Sequence, residues 1–204
     1  MQNTDAIIFD LGGVILNIDY NLTREAFEKA GIKNFHDMYS QANADDLFSN
    51  LETGKISEAN FYKEIKNRSG IDLPDKEITA AWNAMLLDFR EESIQFLDSL
   101  KSKYKLFLLS NTNHIHLPEL TKIYHNKKRD KTFAGYFDKV YYSCEMGLRK
   151  PNADIYEVVL KENNLISGNT LFVDDSAQNI EAADVLGMQT ILLSPGMYIE
   201  NLFL

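Results

Sequence analysis

Two apolar periodicities alternate along the chain. Ala6-Ile7-Ile8-Phe9 is an unbroken apolar run that meets Asp10 and then Gly12-Gly13. A short continuous run with β-branched and aromatic members predicts a strand buried on both faces, as in a parallel sheet. Further apolar runs occupy 105–109, ending at Ser110; 139–142; 170–173, ending at Asp174-Asp175; and 190–193. Between them the spacing becomes helical. Ile94, Leu97 and Leu100 share one face, Leu117 and Leu120 another, and Tyr156, Val159 and Leu160 follow Pro151. Proline suits a helix start, and Gly187 closes a predicted helix over 176–186. Strands alternating with helices predict an α/β fold with a doubly wound parallel sheet.

Residues 17–87 break this alternation. Asp19 or Asn21 begins a helix carrying Leu22, Ala26, Phe27 and Ala30, ended by Gly31. A weaker helical pattern spans Phe35 to Leu51, through Met38, Ala42, Leu47 and Phe48. Ser57 begins another helix that ends near Ser69-Gly70, and Ile78, Ala81, Trp82 and Met85 are helix-spaced. A strand-to-strand crossover needs only one helix. The extra length therefore predicts a helical cap domain over 17–87, inserted into an α/β core made of 1–16 and 88–204.

Composition narrows the function class. The 204 residues are 45% hydrophobic and 25% charged, which is ordinary for a globular chain. A net charge of −9 and a pI near 4.9 argue against a nucleic-acid partner. No apolar run is long enough to span a bilayer, and no secretory signal is visible at the N-terminus. The expectation is a cytoplasmic protein with neither membrane nor nucleic-acid partners. The single cysteine, Cys144, excludes an intramolecular disulfide and reads as a buried thiol at the end of the third core strand. Lys127, Lys128, Arg129 and Lys131 read as a solvated loop.

The chemistry-bearing residues fall at strand ends, where open α/β sheets bind ligands. Asp10 suits a nucleophile in phosphoryl transfer, because a carboxylate can accept the group covalently. Two anions must then meet, so a divalent cation is required, and Mg²⁺ suits oxygen donors. Asp174 and Asp175 complete a carboxylate set for it. Ser110 offers a hydroxyl to a phosphate oxygen, with Asn111 beside it. Lys150, in Gly147-Leu148-Arg149-Lys150-Pro151, offers a point charge suited to phosphate and nucleophile. His116, and less so His114, is placed to contact substrate or move a proton.

Taken together, these four stretches resemble the haloacid dehalogenase superfamily of hydrolases. The resemblance covers the chain outside the cap and implies a Rossmann-like core. It implies Asp10 as nucleophile, Ser110 as phosphate-binding hydroxyl, Lys150 as the third-motif lysine, and Asp174-Asp175 as the acid pair. More narrowly, Ser110-Asn111-Thr112-Asn113, His116, Gly147 to Pro151 and Asp174 to Ile180 resemble bacterial sugar-phosphate phosphatases of the glucose-1-phosphate type. That implies a small phosphorylated metabolite as substrate.

One position departs from the pattern. The superfamily's general acid/base lies two residues after the nucleophile, and here that residue is Gly12. Its carbonyl can still ligate Mg²⁺ and lie against the substrate, but it has no proton to give. General acid–base help contributes about 10²- to 10⁴-fold in rate. Another group then substitutes, the leaving group needs little help, or the protein is a weak or silent phosphate-binding relative. A metal-free dehalogenase would have little use for the Asp174-Asp175 pair.

Overall fold

Strand β1 (Ala6–Phe9) explains its own sequence. Ile7 and Phe9 enter the apolar cluster on one face of the sheet, and Ala6 and Ile8 enter the cluster on the other. With a side-chain period of two and both faces covered, every position must be apolar. The computed structural model describes residues 3–33, 35 and 46–202.

The chain continues through β2 (Leu16–Ile18), α1 (Tyr20–Lys29), α2 (Asp46–Glu52), α3 (Glu58–Ser69), α4 (Asp75–Asn83), β3 (Leu86–Phe89) and α5 (Glu91–Leu100). It then forms β4 (Lys105–Ser110), α6 (His116–His125), β5 (Lys139–Tyr142), α7 (Ser143–Met146), α8 (Ala153–Glu162), β6 (Thr170–Asp174), α9 (Ala177–Val185) and β7 (Gln189–Leu192). The main sheet has the order β5-β4-β1-β6-β7 and is parallel throughout. Ile94 and Leu97 of α5 and Leu120 and Tyr124 of α6 pack on one face. Ile155, Tyr156 and Val159 of α8 and Ala183 of α9 pack on the other. The doubly wound parallel sheet is present as expected, and its order places β4, β1 and β6 side by side. Three chemistry-bearing carboxyl ends therefore become neighbours.

Helices α1 to α4 build a separate apolar cluster from Phe27, Phe48, Phe61, Ile65 and Trp82, joined by Phe35 from between α1 and α2 and by Ile115 from the α/β part. The caps expected for α1 and α3 are present. Asp19 accepts a hydrogen bond from the Asn21 N–H, and Ser57 accepts one from the Asn60 N–H. Gly70 ends α3 in the left-handed conformation. Met38 and Ala42, within the predicted Phe35–Leu51 helix, lie outside the described residues; α2 covers the part from Asp46.

Three details differ from the sequence reading. The insertion is not purely helical: β2 and β3 pair antiparallel, with Leu16 opposite Phe89 and Ile18 opposite Leu86. This two-stranded ribbon ties together the two ends of the 17–87 segment. Cys144 lies in the single-turn helix α7, after β5 has ended, and is buried as expected. The basic stretch is only partly solvated. Helix α6 continues to His125, and Arg129 is folded over the Tyr124 ring, pairs with Glu91 and donates to the Tyr124 carbonyl. Among the described residues, no helix is long and apolar enough to cross a membrane.

Candidate active site

The sheet brings Asp10, Ser110 and Asp174 to one edge, at the ends of β1, β4 and β6. Lys150 arrives from the loop between α7 and α8. Its ammonium donates to Asp10 Oδ1 at 2.6 Å and to Asp174 Oδ2 at 2.6 Å. The lysine side chain is 1% exposed, so it is a buried counter-charge rather than an exposed loop residue. Asn111 sets its position. The amide oxygen of Asn111 accepts from the Lys150 N–H and its amide nitrogen donates to the Lys150 carbonyl, both at 2.9 Å. Asn111 was expected to bind substrate, yet both of its polar atoms hold Lys150.

Asp174 is fully buried and held from two further sides. Asn179 donates to both carboxylate oxygens at 3.0 Å, and the Ser176 N–H donates to Oδ1 at 2.8 Å. Asp175 packs beneath Gly13, whose φ of +71° only glycine adopts readily; a Cβ there would lie 2.2 Å from Asp175 Oδ2. Asp10, Asp174 and Asp175 each offer one carboxylate oxygen within 4.8 Å of the others. Three hard oxygen donors so close together are a fitting set for a divalent cation of the Mg²⁺ type.

The electrostatics agree. Burial raises the Asp10 carboxyl to about 7; Lys150 opposes the rise, and Asp174 and Asp175 add to it. Burial likewise raises Asp175 to about 6, with Asp174 adding and Lys150 opposing. Burial alone would lower Lys150, but Asp10 and Asp174 hold it well above its ordinary value. The cluster carries more negative charge than one lysine can balance, which favours a cation.

Residues 4–187 match the family of haloacid dehalogenase-like hydrolases. This chain belongs to the haloacid dehalogenase-like hydrolases. The D-ribitol-5-phosphate phosphatase of Bacteroides thetaiotaomicron is 31% identical over 189 residues, covering 90% of this chain and 89% of that one. A haloacid dehalogenase family enzyme from the same organism, crystallised with magnesium and inorganic phosphate, superposes with a TM-score of 0.89 at 34% identity, covering 98% of this chain and all of its own. A similar hydrolase from Porphyromonas gingivalis superposes with a TM-score of 0.86 at 33% identity, over 95% of this chain and 93% of that one.

In this dehalogenase-like hydrolase the cluster opens into a cavity of about 240 Å³. Asp10, Gly12, Ser110, Asn111, Lys150 and Asp175 line it, so the sequence-nominated residues other than the buried Asp174 and the exposed His114 share one wall system. Among the described residues, the Ser110 hydroxyl reaches the Asn111 carbonyl alone, at 3.5 Å. That length is at the limit of an interaction, which leaves the hydroxyl available to a ligand.

His116 also reaches the cavity, while His114 is exposed and outside it. The His116 ring stacks on Trp82 and its Nδ1 lies 2.7 Å from Asn83 Oδ1. The Asn83 amide nitrogen faces the Ile115 carbonyl, so its oxygen accepts and Nδ1 carries the proton. Burial lowers this imidazole to about 3. His116 is therefore neutral at physiological pH, with Nε2 as an acceptor. It can accept a hydrogen bond from a hydroxyl; the burial that keeps it neutral also makes it a weak base, and it is not a stored acid.

Gly12 lines the cavity, and a Cβ built there would lie 2.4 Å from Ile18 Cδ1 and 4.0 Å from Asp10 Oδ2. The space of the absent acid/base side chain is filled by Ile18. Two charged residues of the cavity wall are not candidates from the sequence alone: Glu52, from α2, and Arg149, beside Lys150. Arg149 lay within a recognised motif, whereas nothing in the sequence around Glu52 marks it.

Proposed function

We propose that the protein is a Mg²⁺-dependent phosphatase of small phosphorylated metabolites of the sugar or sugar-alcohol class, working through an aspartyl-phosphate on Asp10. The observation that carries this reading is Lys150 bridging Asp10 and Asp174, with Asp175 beside them, at the floor of a polar cavity. A site for phosphate binding alone needs cationic donors. A buried lysine that neutralises a carboxylate at a strand end serves an attacking aspartate.

Asp10 Oδ attacks phosphorus and the ester oxygen departs with its electron pair. Lys150 balances the charge of Asp10 and of the incoming phosphoryl oxygens. Ser110 donates its hydroxyl to one of those oxygens. Asp10, Asp174, Asp175 and the Gly12 carbonyl would hold Mg²⁺, which when bound neutralises the phosphoryl charge. Water then attacks the phosphorus of the acyl phosphate, and Asp10 leaves as a free carboxylate. The proton of that water passes to the phosphoryl oxygens and leaves with the phosphate, and His116, which burial holds neutral, offers Nε2 as a hydrogen-bond acceptor and not as a base.

Gly12 supplies no acid for the departing oxygen. Esters whose leaving group is already stable, such as sugar 1-phosphates, then lose less than primary alcohol phosphates. We assign residues 17–87 the role of a cap. Its Tyr20, Glu52 and Met85 reach the cavity from this segment. The volume, about 240 Å³, lies below the ~300–1,000 Å³ common for drug-sized ligands and favours a small metabolite.

The test is phosphate release from glucose 1-phosphate, ribitol 5-phosphate and nucleoside monophosphates, with Mg²⁺ and with EDTA. Metal-dependent release that Asp10→Asn abolishes is expected. Tight phosphate binding with no turnover of any ester would favour a silent binding protein, with Gly12 as its cause.

A further inference from the structure

Glu52 raises a question that phosphoryl transfer does not answer. A carboxylate in the wall of an anion-binding cavity adds nothing to phosphate binding, even with an arginine balancing its charge. Glu52 stands at the end of α2 with its side chain 13% exposed, facing Arg149 at 23%. Arg149 Nε and Nη2 both approach the same oxygen, Glu52 Oε2, at 2.9 Å. Glu52 Oε1 and Arg149 Nη1 carry no hydrogen bond to a described residue. The pair is therefore not closed on itself: one carboxylate oxygen and the Nη1 end of the guanidinium remain.

The position of this pair is fixed from both sides. Arg149 is bonded in sequence to Lys150, the phosphate-side cation. Glu52 is followed by Thr53-Gly54, and Gly54, at φ +65°, lies so close to α7 that a Cβ would be 2.3 Å from the Cys144 carbonyl oxygen. The end of α2 is thus pressed against the core rather than hanging over the cavity.

We propose that Glu52 and Arg149 form the leaving-group subsite and select a neutral, polyhydroxylated carbon chain beside the phosphate; this rests on the phosphatase reading. A hydroxyl donates and accepts at once, so a diol satisfies the carboxylate and the guanidinium together. An aromatic or alkyl leaving group would desolvate both and pair neither, which is costly for charged groups. A second phosphate or a carboxylate on the substrate would compete with Glu52 for Arg149 and leave the Glu52 carboxylate unpaired. The subsite thus favours sugar and alditol monophosphates over aryl phosphates and bisphosphates.

The experiment compares wild type, Glu52→Gln and Arg149→Gln on ribitol 5-phosphate and on phenyl phosphate. Selectivity, taken as the ratio of the two kcat/KM values, should fall about ten- to hundredfold in each variant, chiefly through the KM of the polyol ester. Equal losses on both esters would overturn the proposal, since the pair would then only hold α2 against the core. An unchanged ratio would overturn it as well. A binding arm separates this from the parent reading: calorimetry in the Asp10→Asn background with ribitol 5-phosphate and with inorganic phosphate. If wild type hydrolyses no ester, the phosphatase reading fails alone. Tighter binding of ribitol 5-phosphate than of phosphate, lost in Glu52→Gln, still upholds the subsite, and equal binding refutes it.

Discussion

Replacing Lys150 by Met keeps most of the side-chain volume and removes the charge. The ammonium lies 2.6 Å from Asp10 Oδ1 and 2.6 Å from Asp174 Oδ2, with 1% of the side chain exposed. Its loss leaves buried carboxylates facing one another. Breaking a buried ion pair from one side costs about 3–5 kcal/mol. For a chain of this size each kcal/mol moves Tm by about 2–4 °C, so Lys150→Met should melt about 6–20 °C lower in EDTA. Two consequences distinguish this from a packing defect. The Asp10 carboxyl is already raised by burial, so in the variant protonation relieves the repulsion, and the deficit should be larger at pH 8 than at pH 5. A cation in the carboxylate set supplies the missing charge, so Mg²⁺ should raise Tm more in the variant than in wild type. The assay is thermal unfolding followed by circular dichroism, at both pH values, with EDTA or Mg²⁺. A deficit below about 2 °C in EDTA, or one independent of both pH and Mg²⁺, would refute the account of Lys150 as the counter-charge.

Restoring the absent acid should require making room for it. Gly12→Asp with Ile18→Ala should raise kcat on primary alcohol phosphates by about 10- to 100-fold, and Gly12→Asp alone should gain less because Ile18 Cδ1 occupies the site; equal rates would contradict that reading. His116 has its folded pKa lowered to about 3 by burial, so the unfolded chain takes up this proton first. Its contribution is intact above about 6.5 and is lost as pH falls toward 3, by up to ~1.4 kcal/mol per pH unit. Urea denaturation from pH 7 to pH 4 should show that extra slope in wild type and not in His116→Gln. Gly54→Ala should destabilise by at least ~1–2 kcal/mol, because φ is +65° and the new Cβ meets the Cys144 carbonyl; an unchanged denaturation midpoint would mean that α2 is not held there.

Local chemistry decided which parts of the molecule could be read from the sequence. β1 was legible because burial on both faces forces four consecutive apolar residues, and Asp10 after them breaks the run. Asp174 and Ser110 were legible for the same reason at β6 and β4. Lys150 could be assigned to the site only by its company, since a lysine before a proline is usually exposed. β3 was not legible. Leu86-Leu87-Asp88-Phe89 is too short to show a period, and it is a strand because Leu16 to Ile18 pairs with it. Glu52 was not legible either, because it is one acidic residue on a short helix and gains its meaning from Arg149, 97 positions away in sequence. Asn111 looked like a ligand to phosphate, and the structure turns both of its polar atoms onto Lys150. The neutral state of His116 comes from burial and its tautomer from Asn83, and tertiary packing supplies both.

The central claim is that Asp10 carries the phosphoryl group. Rapid-quench single turnover with Mg²⁺ and a sugar phosphate, followed by peptide mapping by mass spectrometry, tests it most directly. The account predicts a transient phosphoryl adduct on the peptide holding Asp10, absent in Asp10→Asn. Full release of phosphate with no adduct there, or undiminished turnover by Asp10→Asn, would contradict it.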